Sequence, residues 1–314
     1  MHDILKKISL FGIVPVTKID STEDAVPLAK ALCNGGLPCA EITFRTDAAE
    51  ESIRRITREL PDMLVGAGTI LTAEQADRAV AAGAKFIISP GLNPAVVKHC
   101  VDKGILITPG CSTPSDIERA IELDLDVVKF FPAEASGGIA AIKAMAAPYT
   151  RMKFIPTGGV SAKNLNDYLS FDKIIACGGS WMVDAKLINA GDFAAIERLT
   201  REAVQTMLGF RLEHVGINCE NDKEAAAVAN LFCKAFGFEY RDIGGAVFCG
   251  TDIEVMKKPY LGDKGHIAIG TNYLHRGKAY LESLGFTFNL DTYNNKVVYL
   301  NEQLGGFAVH LFQR

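Results

Sequence analysis

Over the first two thirds of the chain, short runs of β-branched and apolar residues alternate with stretches whose apolar positions recur at helical spacing. Gly, Pro, Ser and Thr mark the junctions, the signature of repeated βα units around a parallel sheet. The apolar runs predict strands at 12–17, 39–44, 64–69, 86–89, 106–109, 127–131, 154–157 and 174–177. Helical spacing predicts helices at 24–33, 48–59, 73–82, 94–102, 114–122, 162–168 and 193–207. Several open on a cap or a first-position proline, as in Ser112-Thr113-Pro114. Eight strands are the number that closes a barrel, so the expected class is α/β, with a compact (β/α)8 TIM barrel over 1–208. Strand order is not written in such a pattern, and an open doubly wound sheet is the alternative.

After Gly209 the strands lengthen, and 211–314 divides into two similar halves. The first reads HVGIN, a helix ending in LFCKAFGFEY, then AVFCG and DIEVMKK; the second reads HIAIG, a helix ending in AYLESLGFTFN, then KVVYLNE and FAVHLFQ. Each half is a β-α-β-β-β unit, so the expectation is a second, α+β domain of paired units. His214 matches His266 at the head of each first strand, and Glu254 matches His310 in each last strand.

Composition narrows the function classes. With 314 residues the chain is long enough for two cores, and 48% hydrophobic against 22% charged residues is ordinary globular usage. A net charge of −4 excludes the basic excess of a nucleic-acid binder. The eight cysteines show no C-x-x-C pair and sit mostly in apolar runs, as reduced, buried thiols of a cytoplasmic protein do. The apolar stretch near the N-terminus is broken by Pro15 and lacks a small-residue cleavage site, so neither secretion nor membrane insertion is expected.

Candidate chemistry concentrates at strand ends. Lys129 lies within VVKFFPA, where burial favours the neutral amine, the form that condenses with a ketone to a Schiff base. A lysine snorkelling to solvent is the bland alternative. In AEITFRT, alternation puts Glu41, Thr43 and Arg45 on one side of the pleat. A carboxylate there can move protons, and an arginine can fork onto a carboxylate or phosphate, although Glu41 and Arg45 could simply pair. The turns PTGGVSA and CGGSWM carry glycine pairs before helix starts, the usual phosphate position of such barrels, or merely tight turns. Lys18 and Glu134 fall at the rim.

The segments EITFRT, GAGTI, ISPG, VVKFFPAE, PTGGV and GGSWM, in this order across about 5–207, resemble the class I 2-keto-3-deoxy-6-phosphogluconate / 4-hydroxy-2-oxoglutarate aldolases. The resemblance implies that Lys129 forms the Schiff base and that Glu41 is the general acid/base. Arg45, Thr69 and Pro90 would surround the pyruvyl carboxylate, and Phe131 would pack on the keto acid. The phosphate would be held by Gly158 and Gly159 with Ser180, and the neighbouring Thr157 and Gly179 join this substrate-binding set. A homotrimer is implied, as is the absence of any metal or organic cofactor in the aldol step.

The paired units of 211–314 resemble the vicinal-oxygen-chelate, or glyoxalase/bleomycin-resistance/dioxygenase, superfamily. This implies a curved sheet around a cavity and a divalent-metal set of His214, Glu254, His266 and His310. Two departures stand out: the last ligand is His where the superfamily often has Glu, and NEQLGGFAV replaces its usual Asp-Pro-Asp-Gly-type turn. The expected function is a Schiff-base aldolase acting on a small keto acid or sugar acid phosphate. Competing with it are a non-catalytic barrel that binds phosphorylated keto acids and a chain whose main activity is a metal-dependent C-terminal domain. The presence of both Lys129 and Glu41 favours the enzyme.

Overall fold

A computed structural model describes residues 2–314 and divides the chain into two compact units, Met1–Met207 and Leu208–Arg314. The break falls just before Leu208 because its carbonyl accepts from the Asn272 N–H and the Thr271 hydroxyl, both at 2.8 Å, which ties it to the second unit. Among the described residues no helix is long and apolar enough to cross a membrane. All eight cysteines are free thiols, six of them buried.

The first unit runs α1 (Asp3–Phe11), β1 (Ile13–Thr17), α2 (Ala25–Asn34), β2 (Cys39–Thr43), α3 (Ala49–Glu59), β3 (Leu64–Gly68), α4 (Ala73–Ala81), β4 (Phe86–Ser89) and α5 (Pro94–Asp102). It continues through β5 (Ile107–Cys111), α6 (Pro114–Glu122), β6 (Val127–Phe130), α7 (Gly138–Ala146), β7 (Lys153–Pro156), α8 (Leu165–Leu169), β8 (Cys177–Gly179), α9 (Ala185–Asn189) and α10 (Phe193–Leu208), whose last residue begins the second unit. The strands follow one another in parallel from β1 to β7, and β8 lies beside β1. Isolated bridges, Phe154 to Ile174 and Thr157 to Gly178, close β7 onto the β8 side, so the sheet is a barrel and the open-sheet alternative falls.

Three local expectations are corrected. The last strand is Cys177–Gly179 rather than 174–177: the apolar run is buried as anticipated, but the ladder to β1 begins at Ile13 with Cys177. Helix α8 starts at Leu165 rather than 162, because the Asn164 side chain first accepts from the Ser161 N–H and holds that stretch in a turn. Helix α1, which is not among the predicted helices, plugs the barrel floor. Its Leu5 and Ile8 join Val14, Cys39, Leu64, Phe86 and Val127, residues at or near the beginnings of five strands, in one buried cluster. Side chains of successive strands alternate between this lumen and the helix layer. Glu41 and Lys129 stand one pleat period above Cys39 and Val127, at the mouth of the lumen.

The second unit runs β9 (Arg211–Asn218), α11 (Asp222–Phe236), β10 (Tyr240–Asp242), β11 (Ala246–Cys249), β12 (Ile253–Met256), then β13 (Gly265–Thr271), α12 (Leu274–Ser283), β14 (Phe288–Asn289), β15 (Val297–Leu304) and β16 (Phe307–Gln313). One eight-stranded sheet results, ordered β10-β11-β12-β9-β13-β16-β15-β14. Each half has a first strand parallel to its own last strand, and the halves join through antiparallel β9 and β13. Each half also packs its helix over its own apolar cluster.

Candidate active site

Val127, Val128 and Phe130 anchor β6 in apolar surroundings, leaving Lys129 turned into the barrel with 6% exposure. Its Nζ lies 3.5 Å from Oε1 of Glu41, with the two side chains 7% and 2% exposed. The ammonium stands 5.1 Å from the centre of the Phe131 ring, which forms one wall. A lysine snorkelling to solvent is therefore not what β6 carries. Two glycines permit close approaches here, Gly68 to Glu41 itself and Gly110 to the backbone that follows β4. A β-carbon on Gly68 would meet Glu41 Oε1 at 2.0 Å, and one on Gly110, the β5 neighbour of Lys129, would meet the Pro90 carbonyl oxygen at 2.0 Å. The GAGTI motif carried this signal, but only the folded structure shows that Gly68 accommodates Glu41, since the β2–β3 ladder sets Gly68 beside Thr43 and Gly66 beside Glu41.

Arg45 does not pair with Glu41. Its Nε donates to the Thr43 hydroxyl at 3.1 Å, and that hydroxyl donates to the Thr17 carbonyl at 2.8 Å, so the guanidinium is braced at an exposed rim position. Thr69 follows β3 with φ of 58°, and Pro90 follows β4; both are partly exposed at the same end of the barrel. A non-glycine residue in the left-handed region is uncommon and tends to occur at sites. Thr157 is 6% exposed and bridges to Gly178, which brings the two glycine pairs side by side. Gly158 and Gly159 have φ of 98° and 83°, conformations that side chains resist. Gly179 lies against the Trp181 ring, and Ser180 is exposed. Lys18 is occupied by Asp20 at 2.6 Å, and Glu134 accepts a short hydrogen bond from Tyr168.

This arrangement offers a shielded amine, a carboxylate within reach of it, an arginine at the rim and a backbone cradle. The family profile of KDPG and KHG aldolase matches residues 3–199. The chain belongs to this family. It is 49% identical over 205 residues to the 2-dehydro-3-deoxy-phosphogluconate aldolase of Treponema pallidum, spanning 65% of this chain and 98% of that one. It is 44% identical to the KHG/KDPG aldolase of Escherichia coli K12, spanning 62% and 91%. Among solved structures, the 2-keto-3-deoxy-6-phosphogluconate aldolase of Zymomonas mobilis ZM4 with 3-phosphoglycerate superposes with a TM-score of 0.61 at 41% identity, covering 65% of this chain and 95% of that one. The KDPG aldolase of Legionella pneumophila, with pyruvate captured as a covalent carbinolamine, gives 0.60 at 36% identity, covering 62% and 96%. The KDPG/KHG aldolase domain of this chain is accordingly a carbon–carbon lyase of the class I aldolase type.

The second unit assembles its own cluster. His214 on β9, Glu254 on β12, His266 on β13 and His310 on β16 gather there, with the ligand atoms of the three histidines within 4.8 Å of one another. His266 Nε2 lies 3.1 Å from Glu254 Oε2 and 3.1 Å from His214 Nε2, and His214 Nε2 lies 3.3 Å from the same carboxylate oxygen. Burial raises the Glu254 carboxyl, but hydrogen bonds from His214 and His266 outweigh it and bring it down to about 2. Burial, reinforced by the neighbouring imidazoles, pushes His310 down to about 4. Aromatic residues not flagged by the repeat surround the cluster. Tyr299, the register partner of His310 on β15, stacks on it at 4.6 Å, and Phe248 meets His214 edge-on at 5.6 Å. Tyr299 is visible in KVVYLNE as an aromatic in a strand, but its pairing with His310 requires the β15–β16 register.

Proposed function

We propose that the barrel cleaves 2-keto-3-deoxy-6-phosphogluconate to pyruvate and glyceraldehyde 3-phosphate, and 4-hydroxy-2-oxoglutarate to pyruvate and glyoxylate. The observation that carries this reading is the 3.5 Å approach of Lys129 and Glu41, both buried at the mouth of the barrel lumen. Lys129 attacks the C2 ketone, and the carbinolamine loses water to an iminium. Glu41, directly or through a water, removes the C4 hydroxyl proton while the C3–C4 electron pair moves into the iminium. The aldehyde departs, Glu41 returns its proton towards C3 of the enamine, and hydrolysis frees pyruvate and the amine.

Arg45, with Thr69 and Pro90, takes the pyruvyl carboxylate, and Phe131 packs on the bound keto acid. Thr157, Gly158, Gly159, Gly179 and Ser180 offer the distal anionic group a cradle of backbone amides and a hydroxyl. Borohydride trapping with pyruvate, followed by mass spectrometry of peptides, tests the reading. Adduct on Lys129 is expected; saturating pyruvate with no adduct on folded protein refutes it. The barrel is further assigned a trimeric assembly, to be checked by native mass spectrometry.

For the C-terminal unit the reading is a vicinal-oxygen-chelate-like domain holding one divalent ion through His214, Glu254, His266 and His310. Donors about 2.0–2.1 Å from a tetrahedral ion stand roughly 3.3 Å apart, and the measured separations of 3.1–3.3 Å among His214, His266 and Glu254 fit that set. The buried Nδ1 atoms of His266 and His310 make no hydrogen bond within the protein, so neither ring is committed to a protein partner on that side. A bound ion would supply Lewis acidity; the residues themselves orient it and keep the pocket aromatic-walled. One equivalent of Zn²⁺, Mn²⁺, Ni²⁺ or Fe²⁺ by elemental analysis is expected, and a metal content unchanged by His266→Ala refutes the assignment.

A further inference from the structure

At the exit of β6 the segment that carries Lys129 turns back over the glycine pair following β7. The Ala133 N–H donates to the Thr157 carbonyl at 2.8 Å, and the Glu134 N–H donates to the Gly158 carbonyl at 3.0 Å. From the other side, Nδ2 of Asn164 donates to the Gly159 carbonyl at 3.2 Å. The Glu134 side chain lies across this loop, since a β-carbon on Gly159 would stand 2.5 Å from its Cγ. Oε1 of Glu134 accepts a short hydrogen bond from the phenol of Tyr168 on α8, itself 1% exposed. Gly138 completes the pocket, its missing β-carbon 3.2 Å from both Glu134 Oε1 and the Tyr168 oxygen.

A carboxylate therefore stands at the loop that the proposed function gives to an anionic group, and its charge has the wrong sign for that task. Burial and the Glu134 charge both push the Tyr168 phenol upward, which keeps it a proton donor. We infer that Glu134 and Tyr168 are a positioning pair: the phenol pins the carboxylate to α8, which fixes the Gly158–Gly159 amides relative to Lys129 and keeps the negative charge off the distal anionic group of the substrate. The inference rests on the reading that this loop takes that group. Because pyruvate has no distal group, the pair acts on phosphorylated substrate and not on imine formation.

Tyr168→Phe frees the carboxylate, and for a partly screened charge the KM for 2-keto-3-deoxy-6-phosphogluconate rises about five- to tenfold while kcat stays near wild type. Borohydride trapping with pyruvate proceeds at the wild-type rate. Adding Glu134→Gln removes the charge and returns KM towards the wild-type value. Glu134→Asp, which keeps the charge but shortens the reach to Tyr168, raises KM without touching the buried ring, so the test survives if Tyr168→Phe does not fold. Unchanged KM in the Tyr168→Phe or Glu134→Asp enzyme, a parallel loss of kcat and pyruvate trapping, or no rescue by Glu134→Gln overturns the inference. Absence of a pyruvate adduct in the unmodified enzyme overturns the Schiff-base reading itself, and the role of the pair with it.

Discussion

Replacing Gly68 by alanine places a methyl carbon 2.0 Å from Oε1 of Glu41 and 2.6 Å from its Cδ and Cγ. The carboxyl must shift by roughly 1 Å to relieve the contact, a displacement that can cost about 100-fold in rate when it misaligns a reacting group. Its side chain is 2% exposed and Lys129 Nζ lies 3.5 Å away, so the carboxyl cannot swing out to solvent and its movement changes its distance to the amine. The overpacking itself costs about 1–3 kcal/mol of stability. The assay is kcat/KM for cleavage, read from pyruvate release, alongside thermal unfolding and pyruvate trapping. Expected are a fall in kcat/KM of about 100-fold, retained folding and retained trapping, since Lys129 is untouched. Glu41→Gln alone should lose about 10²–10⁴-fold, and combining the two changes should lose little more, because both act through one carboxylate. A folded Gly68→Ala enzyme within twofold of wild-type kcat/KM would refute the proton-transfer role of Glu41 in this position.

Lys129→Ala should leave no borohydride adduct and no measurable cleavage while the far-ultraviolet circular dichroism remains that of the wild type; wild-type turnover in this variant would sink the assignment. Ile8→Ala, in the helix that plugs the barrel floor, empties a site only 2% exposed. It should cost about 2–5 kcal/mol, seen as a lower denaturant midpoint with kcat unchanged, because the floor lies away from the Lys129 layer; an unchanged midpoint would show that α1 does not support the barrel. If the C-terminal unit holds the proposed metal, chelation or His266→Ala should abolish metal retention yet leave aldol cleavage at the wild-type rate, because the proposed Lys129–Glu41 chemistry does not use it. Coupled loss of cleavage and metal would contradict that independence.

The features legible in the sequence were those that neighbouring residues dictate. The alternation Glu41–Thr43–Arg45 and the apolar run around Lys129 report which side of a pleat a residue takes, so both candidate residues could be named before any strand was paired. Strand count and the Thr113 cap with the proline that follows it are likewise local, and the helix there begins where expected. The last strand slipped by three residues because an apolar run records burial, whereas a strand is defined by its ladder. The Arg45–Glu41 pairing that the sequence allowed gives way to Arg45–Thr43, since Glu41 is engaged from across the barrel.

By itself, then, the sequence determined the periodicity of most elements, the division into two units, the paired halves of the second and the candidate side chains for chemistry. Tertiary structure alone decided the closure of β7 onto the β8 side, the role of α1 as the floor, the room that Gly68 leaves for Glu41, and the apposition of Glu134 with Tyr168 over the glycine loop. The reason is physical. Side-chain periodicity is a property of consecutive residues, whereas the 3.5 Å between Lys129 and Glu41, 88 positions apart, depends on the register of every strand between them.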